Sequence, residues 1–509
     1  MRKLTVGLFA ALSAFLLTSV FGQTDALPES RAGTVAFTFL QINDVYEIDM
    51  LDHGTTAGLA RVETLRQMLV TENPNTYTFI AGDFFGPSAI GEARVDGARL
   101  KGRQMVDLLN ELGLDYATFG NHEFDLSETD FLARMEEARF KWISGNVTDA
   151  DGNLFRETYP TDILEVKNTS GAVVKVGLFG VTLNSNPKPY VRYGPYLEAA
   201  RESVAALRPK TDIVVGLTHL DQAEDIEVAT SVEGIALIMG GHEHENMQLV
   251  RGKDHTVITK ADANALTAFV HRFVYATDSG EYTLRSELVR LDTSIIPDPE
   301  MEIKVTAWVN RAFAAFAAEG FDPRRLVTTT DVDLDGRAVV VRNSSNRLTD
   351  IMARAYWKEV PDAEAAFYNS GSIRIDDEIS AGPLQEYDVL RINPFGGFVV
   401  QARMSGRTLV AALDAGKNNA GSGGFLQYAN ITLAPNGSWL VGGKAVDLTR
   451  DYHIATNDFL LTGREANLGF LAPDQGKVTF IKQFRDARTV LKDGLQNEFA
   501  HVTGGASAR

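Results

Sequence analysis

Between residues 120 and 125 the chain reads Gly120-Asn121-His122-Glu123-Phe124-Asp125. Five residues there offer a neutral oxygen ligand, an imidazole for proton or charge work, and two carboxylates able to orient it. The run follows a short apolar segment at 116–119 and precedes an acidic helix start at Ser127. It therefore reads as a loop leaving a buried strand, a place where chemistry gathers. Four other apolar runs end in the same way: 35–42 in Asn43-Asp44-Val45-Tyr46, 76–81 in Gly82-Asp83, 213–218 in His219, and 235–239 in Gly240-Gly241-His242-Glu243-His244. Five strand-like runs thus deliver carboxylate, amide and imidazole groups to what would be one sheet edge. Such ligands suit Mn, Zn, Fe or Mg, and a carboxylate among several others can bridge two ions.

The elements that would position these groups alternate. Strands are expected at 35–42, 76–81, 116–119, 142–144, 173–181, 213–218 and 235–239, with amphipathic helices at 59–70, 104–112, 129–138, 197–207 and 225–231. Hairpin-like segments follow at 256–260, 271–276 and 282–291. The block reads as an α/β sandwich whose polar loops cap strand ends. Pro297-Asp298-Pro299 then breaks the chain, and an Ala-rich helix over 300–318 is the expected connector to a second α/β block at 327–498. Asp331-Val332-Asp333-Leu334-Asp335-Gly336 imitates a calcium loop, but its twelfth position is Arg342 and not Glu.

The chain has 509 residues, 44% of them hydrophobic, which implies two or three globular units. Arg2 and Lys3 precede an apolar run to Phe21, the pattern of a secretory signal ending near Ala26; an uncleaved anchor is the alternative. Zero cysteines exclude disulfides and thiolate ligands, and a net charge of -18 argues against a nucleic-acid polymer as partner. A small anionic substrate would instead meet metal ions or a few arginines.

With these motifs in order, the chain resembles the binuclear metallophosphatases, specifically their secreted two-domain 5'-nucleotidase and UDP-sugar hydrolase branch. That resemblance implies an α/β fold: an N-terminal β-sandwich flanked by helices (34–295), a linker helix (296–326), a smaller C-terminal substrate domain (327–498) and a polar tail (499–509). It implies two divalent ions, Mn, Zn or Mg, with iron an option at one site. Asp44, Asp83 and His244 would hold one ion, and Asp83, Asn121, His219 and His242 the other. His122, positioned by Asp125, would stabilise charge on the transferring phosphoryl group, while the ions clamp phosphate and activate hydroxide. Tyr46 stands where the family usually has His; a phenolate ligand to a harder ion, a water in its place, or weak binding of the first metal are all open.

The same resemblance assigns Asn369 and Arg374, in Asn369-Ser370-Gly371-Ser372-Ile373-Arg374, to the nucleotide, Phe395 and Phe459 to the two faces of its base, and Glu465 to the sugar hydroxyls. The implied activity is release of phosphate from nucleoside 5'-monophosphates by an exported protein of the periplasm, cell envelope or medium. A diphosphatase for UDP-sugars or a 2',3'-cyclic phosphodiesterase, and from another class a nucleotide-binding protein with a lapsed metal site, are the alternatives. Neither a membrane beyond the export signal nor a fixed oligomeric state is implied.

Overall fold

A computed structural model describes residues 33–504; the expected signal at 1–26 lies outside them. The N-terminal block is built on thirteen strands: β1 (Thr34–Ile42), β2 (Thr76–Ile80), β3 (Tyr116–Ala117), β4 (Lys141–Ile143), β5 (Thr158–Tyr159), β6 (Thr161–Lys167), β7 (Val173–Thr182), β8 (Ile213–His219), β9 (Leu237–Gly240), β10 (Met247–Arg251), β11 (Thr256–Lys260), β12 (Thr267–Ala276) and β13 (Tyr282–Arg290). They form a seven-stranded sheet, β13-β12-β1-β2-β3-β4-β5, and a six-stranded sheet, β10-β11-β9-β8-β7-β6. Within the first, β1 to β5 run parallel, and in the second β7, β8, β9 and β11 do.

Alternation along β1 explains why the sheets stack. Val35, Phe37 and Phe39 join Leu178, Val215, Leu237 and Met239 in the core between the sheets, while Leu40 and Ile42 belong to the core on the other side. That outer face is covered by α1 (Leu59–Glu72), α2 (Arg103–Leu112) and α3 (Glu128–Glu137). The second sheet is covered by α4 (Tyr196–Leu207) and α5 (Gln222–Ser231). The result is a four-layer αββα sandwich.

The connector helix α6 (Pro299–Ala318) starts at an Asp298 cap with Pro299 in its first turn. It is no free spacer: Met301, Val305, Trp308, Val309, Ala312 and Phe316 lie buried in the core shared with α1 and α2. The C-terminal block has its own five-stranded sheet, built from β14 (Ala365–Asn369), β15 (Phe398–Ser405), β16 (Leu426–Ala429), β17 (Asp451–Asn457) and β18 (Val478–Asp486) in the order β16-β14-β17-β15-β18. Its helices include Arg347–Glu359 and Ala487–Glu498. The expected polar tail differs at its start, because Phe499 is fully buried and a helical turn follows at Ala500–Gly504.

Candidate metal centre and substrate cleft

Parallel pairing aligns the strand ends. Ile42 pairs with Ile80, Ile80 with Ala117, and Thr182 with His219, so the loops after β1, β2, β3, β8 and β9 open at one edge. Close approach of these loops explains their glycines. A Cβ on Gly120 would stand 2.1 Å from Asp83 Oδ1, and one on Gly82, whose φ is +80°, would stand 2.6 Å from His219 Nδ1. The loop after β3 is pinned from below by an aromatic cluster: Phe119, Phe124 and Phe131 are fully buried, and Phe119 stacks on Trp142 at 4.7 Å.

Glu123 ties two of these loops together. Its Oε2 accepts from the backbone N–H of Asp83 (2.8 Å) and Gly120 (2.6 Å), and its Oε1 from those of Phe84 (2.7 Å) and Phe85 (3.1 Å). Burial first, and then the charge of Asp83, push this carboxyl up to about 7 against those donors. From the other side Asn264 Oδ1 accepts from the N–H of Tyr46 (3.0 Å) and Glu47 (3.2 Å), fixing the loop after β1. Under the loop after β9, fully buried Lys260 pairs with Asp225 (2.9 Å) and Glu243.

Two groups of potential ligands result. Asp83, His219 and His242 have ligand atoms within 4.8 Å of one another, and so do Asp44, Asp83 and His244. Asp83 belongs to both. His219 Nε2 lies 3.3 Å from Asp83 Oδ2, and His244 Nε2 lies 3.2 Å from Asp44 Oδ1. Among the described residues, three fully buried polar atoms at this spot, Asp44 Oδ1, Asn121 Oδ1 and His219 Nε2, make no well-aligned hydrogen bond. Buried orphans are rare and costly; oxygen and imidazole donors converging in this way fit divalent cations. Tyr46 Oη stands 3.1 Å from both Asp83 Oδ2 and His244 Nε2, inside the same group. Although burial disfavours a cationic imidazole, Asp83 and Asp44 outweigh it and hold His219 up at about 10 without metal.

His122 sits on the turn His122–Asp125, its N–H donating to Asp83 Oδ1 (2.7 Å) and its Nδ1 2.6 Å from Asp125 Oδ2. Burial opposes ionisation of Asp125, but His122, Arg374 and Lys188 hold it down at about 2. Asn186, which the sequence reading missed, donates to Asp125 Oδ1 (2.9 Å) and to the Asn121 carbonyl (2.8 Å).

The C-terminal block completes the cleft. A cavity of about 420 Å³ is lined by His122 and Asp125 from one side and by Arg374, Phe395, Phe459 and Arg464 from the other. Phe395 and Phe459 are 49% and 39% exposed, unlike core phenylalanines. Arg374 and Arg342 line a smaller recess with Tyr46, His122 and His244, and among the described residues neither guanidinium has a carboxylate within 4.0 Å. Burial first, then neighbouring Arg374, bring Arg342 down to about 10. Two expectations differ from this arrangement. Asn369 donates to Glu465 Oε2 (2.8 Å) and accepts from Asn457 (2.8 Å) and Ser372 (2.9 Å), so Asn369 and Glu465 satisfy each other and line neither cavity. Arg342, met in the sequence only as the residue that breaks the calcium-loop pattern, takes a place in the recess.

Comparison with known proteins places models of two families on the chain, the calcineurin-like phosphoesterases over residues 37–246 and the 5'-nucleotidase C-terminal domain over 326–470. It is 26% identical to a trifunctional nucleotide phosphoesterase of Bacillus subtilis over 73% of its own length, though it spans only 29% of that larger protein. It is 23% identical to a 5'-nucleotidase of Vibrio cholerae, with 89% and 90% of the two chains covered. Among solved structures, a 5'-nucleotidase precursor from Thermus thermophilus superposes with a TM-score of 0.71 at 22% identity, covering 91% and 97%.

Proposed function

We propose, from a chain that belongs to the calcineurin-like phosphoesterases and carries a 5'-nucleotidase C-terminal domain, that this hydrolase releases phosphate from nucleoside 5'-monophosphates using two divalent cations. One observation carries the reading: a single cleft is lined by the His122–Asp125 pair, by unpaired Arg374 and by two exposed phenylalanines. Those are the parts needed to take a phosphate at one end and a planar base at the other.

Asp44, Asp83 and His244, with Tyr46 beside them, would hold one cation, and Asp83, Asn121, His219 and His242 the other. When bound, such a pair neutralises phosphate charge and lowers the pKa of water. The chain's own groups do the rest. Asp125 fixes the His122 ring through Nδ1, which turns Nε2 to the cleft for charge developing on phosphate oxygen. Arg342 and Arg374 draw the anion in, and Phe395 and Phe459 stack the base whatever its identity. Export is part of the proposal and rests on the sequence pattern of residues 2–21; among the described residues no helix is long and apolar enough to cross a membrane.

The test is phosphate release from AMP by the chelator-stripped mature chain, with and without manganese. Restoration by metal is the expected result. Silence on AMP with turnover of a UDP-sugar or a 2',3'-cyclic nucleotide would replace the substrate, and silence on all three would end the reading.

A further inference from the structure

The three histidines of the metal groups are not anchored alike. His219 donates from Nδ1 to the Ala81 carbonyl (2.7 Å), and His242 Nε2 meets Asp221 Oδ1 (3.1 Å); both partners belong to the N-terminal domain. His244 points Nε2 at Asp44 and Tyr46, and its Nδ1 contacts Asp376 Oδ2, 132 residues away on the C-terminal domain. The other oxygen of Asp376 accepts from the N–H of Ala338 (2.5 Å). Asp376 itself has a φ of +42°, so the backbone is bent to present its carboxylate here.

Its neighbour reinforces the arrangement. Asp377 Oδ2 lies 3.3 Å from Arg391 Nη2, and Arg391 Nε lies 3.4 Å from Glu47 Oε1, one residue beyond Tyr46. Tyr387 Oη donates to Glu47 Oε2 (2.9 Å). Consecutive acids on the C-terminal domain thus reach the two loops that carry Asp44 and His244.

We propose that Asp376 is a positioning residue for His244, so that cation affinity at the Asp44–Asp83–His244 group depends on contact between the domains. A carboxylate on Nδ1 orients the ring and raises the basicity of Nε2 toward metal. Because the carboxylate rides on the other domain, domain separation removes it. By reciprocity a cation at this group favours the closed arrangement. The inference rests on the two-cation reading above and adds a coupling to it.

Manganese titration of the chelator-stripped full chain by calorimetry tests this, with Asp376→Asn as the variant. Asn tolerates a positive φ, and whichever way its amide turns, either His244 or Ala338 loses its acceptor. The expected result is two manganese ions per wild-type chain, with one of the two sites weakened about 10- to 100-fold in the variant and the other unchanged. A merely structural role would instead weaken both sites alike, in step with a lowered metal-free thermal midpoint. Independently of any variant, manganese should shift small-angle scattering of the wild-type chain toward the compact form. Two wild-type ions with unaltered affinities in Asp376→Asn, or scattering indifferent to manganese, would overturn this inference alone. A wild-type chain that takes fewer than two ions would overturn the two-cation reading with it.

Discussion

Replacing Glu123 by Gln changes almost no volume but removes half of an acceptor set. Four backbone N–H groups converge on the two carboxylate oxygens at 2.6–3.1 Å, two on each. An amide presents one oxygen and one NH₂, so two buried donors from the loops after β2 and β3 would face a donor. Each unsatisfied group costs about 1–3 kcal/mol, or roughly 2–6 kcal/mol for the pair. Losing the like charge beside Asp83 offsets part of this, so about 2–3 kcal/mol is the expected loss. The assay is urea unfolding at neutral pH without metal, followed by tryptophan fluorescence, since Trp142 packs on Phe119 beneath the same loop. Manganese stoichiometry of the folded variant is the second readout, because Asp83 loses its backbone anchor. A loss below about 1 kcal/mol together with wild-type metal binding would refute the reasoning that Glu123 holds the two loops in register.

Four further outcomes are expected. Phe395→Ala and Phe459→Ala each remove about 1–3 kcal/mol of stacking and should raise the KM for AMP roughly 5- to 150-fold with little effect on kcat; unchanged KM values would show that the base does not lie between these rings. His219 is held up at about 10 without metal, so a cation must displace its proton and apparent manganese affinity should rise with pH, up to about tenfold per unit between pH 6 and 8. The same raised value means that the His219–Asp83 pair stabilises the metal-free fold fully below about pH 6.5 and ceases to do so as pH rises through about 10; a flat titration from pH 6 to 8 contradicts both statements. Finally, Tyr46→His should tighten the Asp44–Asp83–His244 group toward manganese, and an unaltered binding isotherm would mean that position 46 contributes no ligand.

Much of the layered fold was legible because its strands are apolar runs with two-residue alternation, as in β1, and because ligand-type residues stop those runs. Strand ends were less so: the run at 116–119 is strand only over Tyr116–Ala117, with one further bond from the Thr118 N–H to the Ile80 carbonyl. The edge strands β6 and β10, half-buried and exposed respectively, carry too little apolar patterning to be read at all. Side-chain roles that depend on one loop were visible, as with His122 and Asp125 three residues apart. Those that depend on two loops were not, except where ligand-type residues end apolar runs, as Asp44, Asp83, His219, His242 and His244 do. Glu123 was visible as part of a motif, but its three bonds to the loop after β2 were hidden until β2 and β3 lay side by side. That Asn369 and Glu465, both expected at the nucleotide, bond to each other across 96 residues is likewise invisible in their spacing. Asp376, adjacent in sequence to a recognised segment, meets its partner only when the two domains meet.

Four of the residues grouped around the metal positions share an unusual backbone. Asp44, Asp83, His242 and His244 have φ values of +53°, +57°, +91° and +64°. Side chains other than Gly seldom adopt this region, although Asp, Asn and His enter it more readily than the rest. Substituting either Asp by Gly would relieve the backbone but strand partners, since Asp83 Oδ1 accepts from the His122 N–H and Asp44 Oδ2 from that of His242. The strain is therefore held in place by the same carboxylates and imidazoles that converge at the centre, so the loop conformations and the ligand groups stand or fall together.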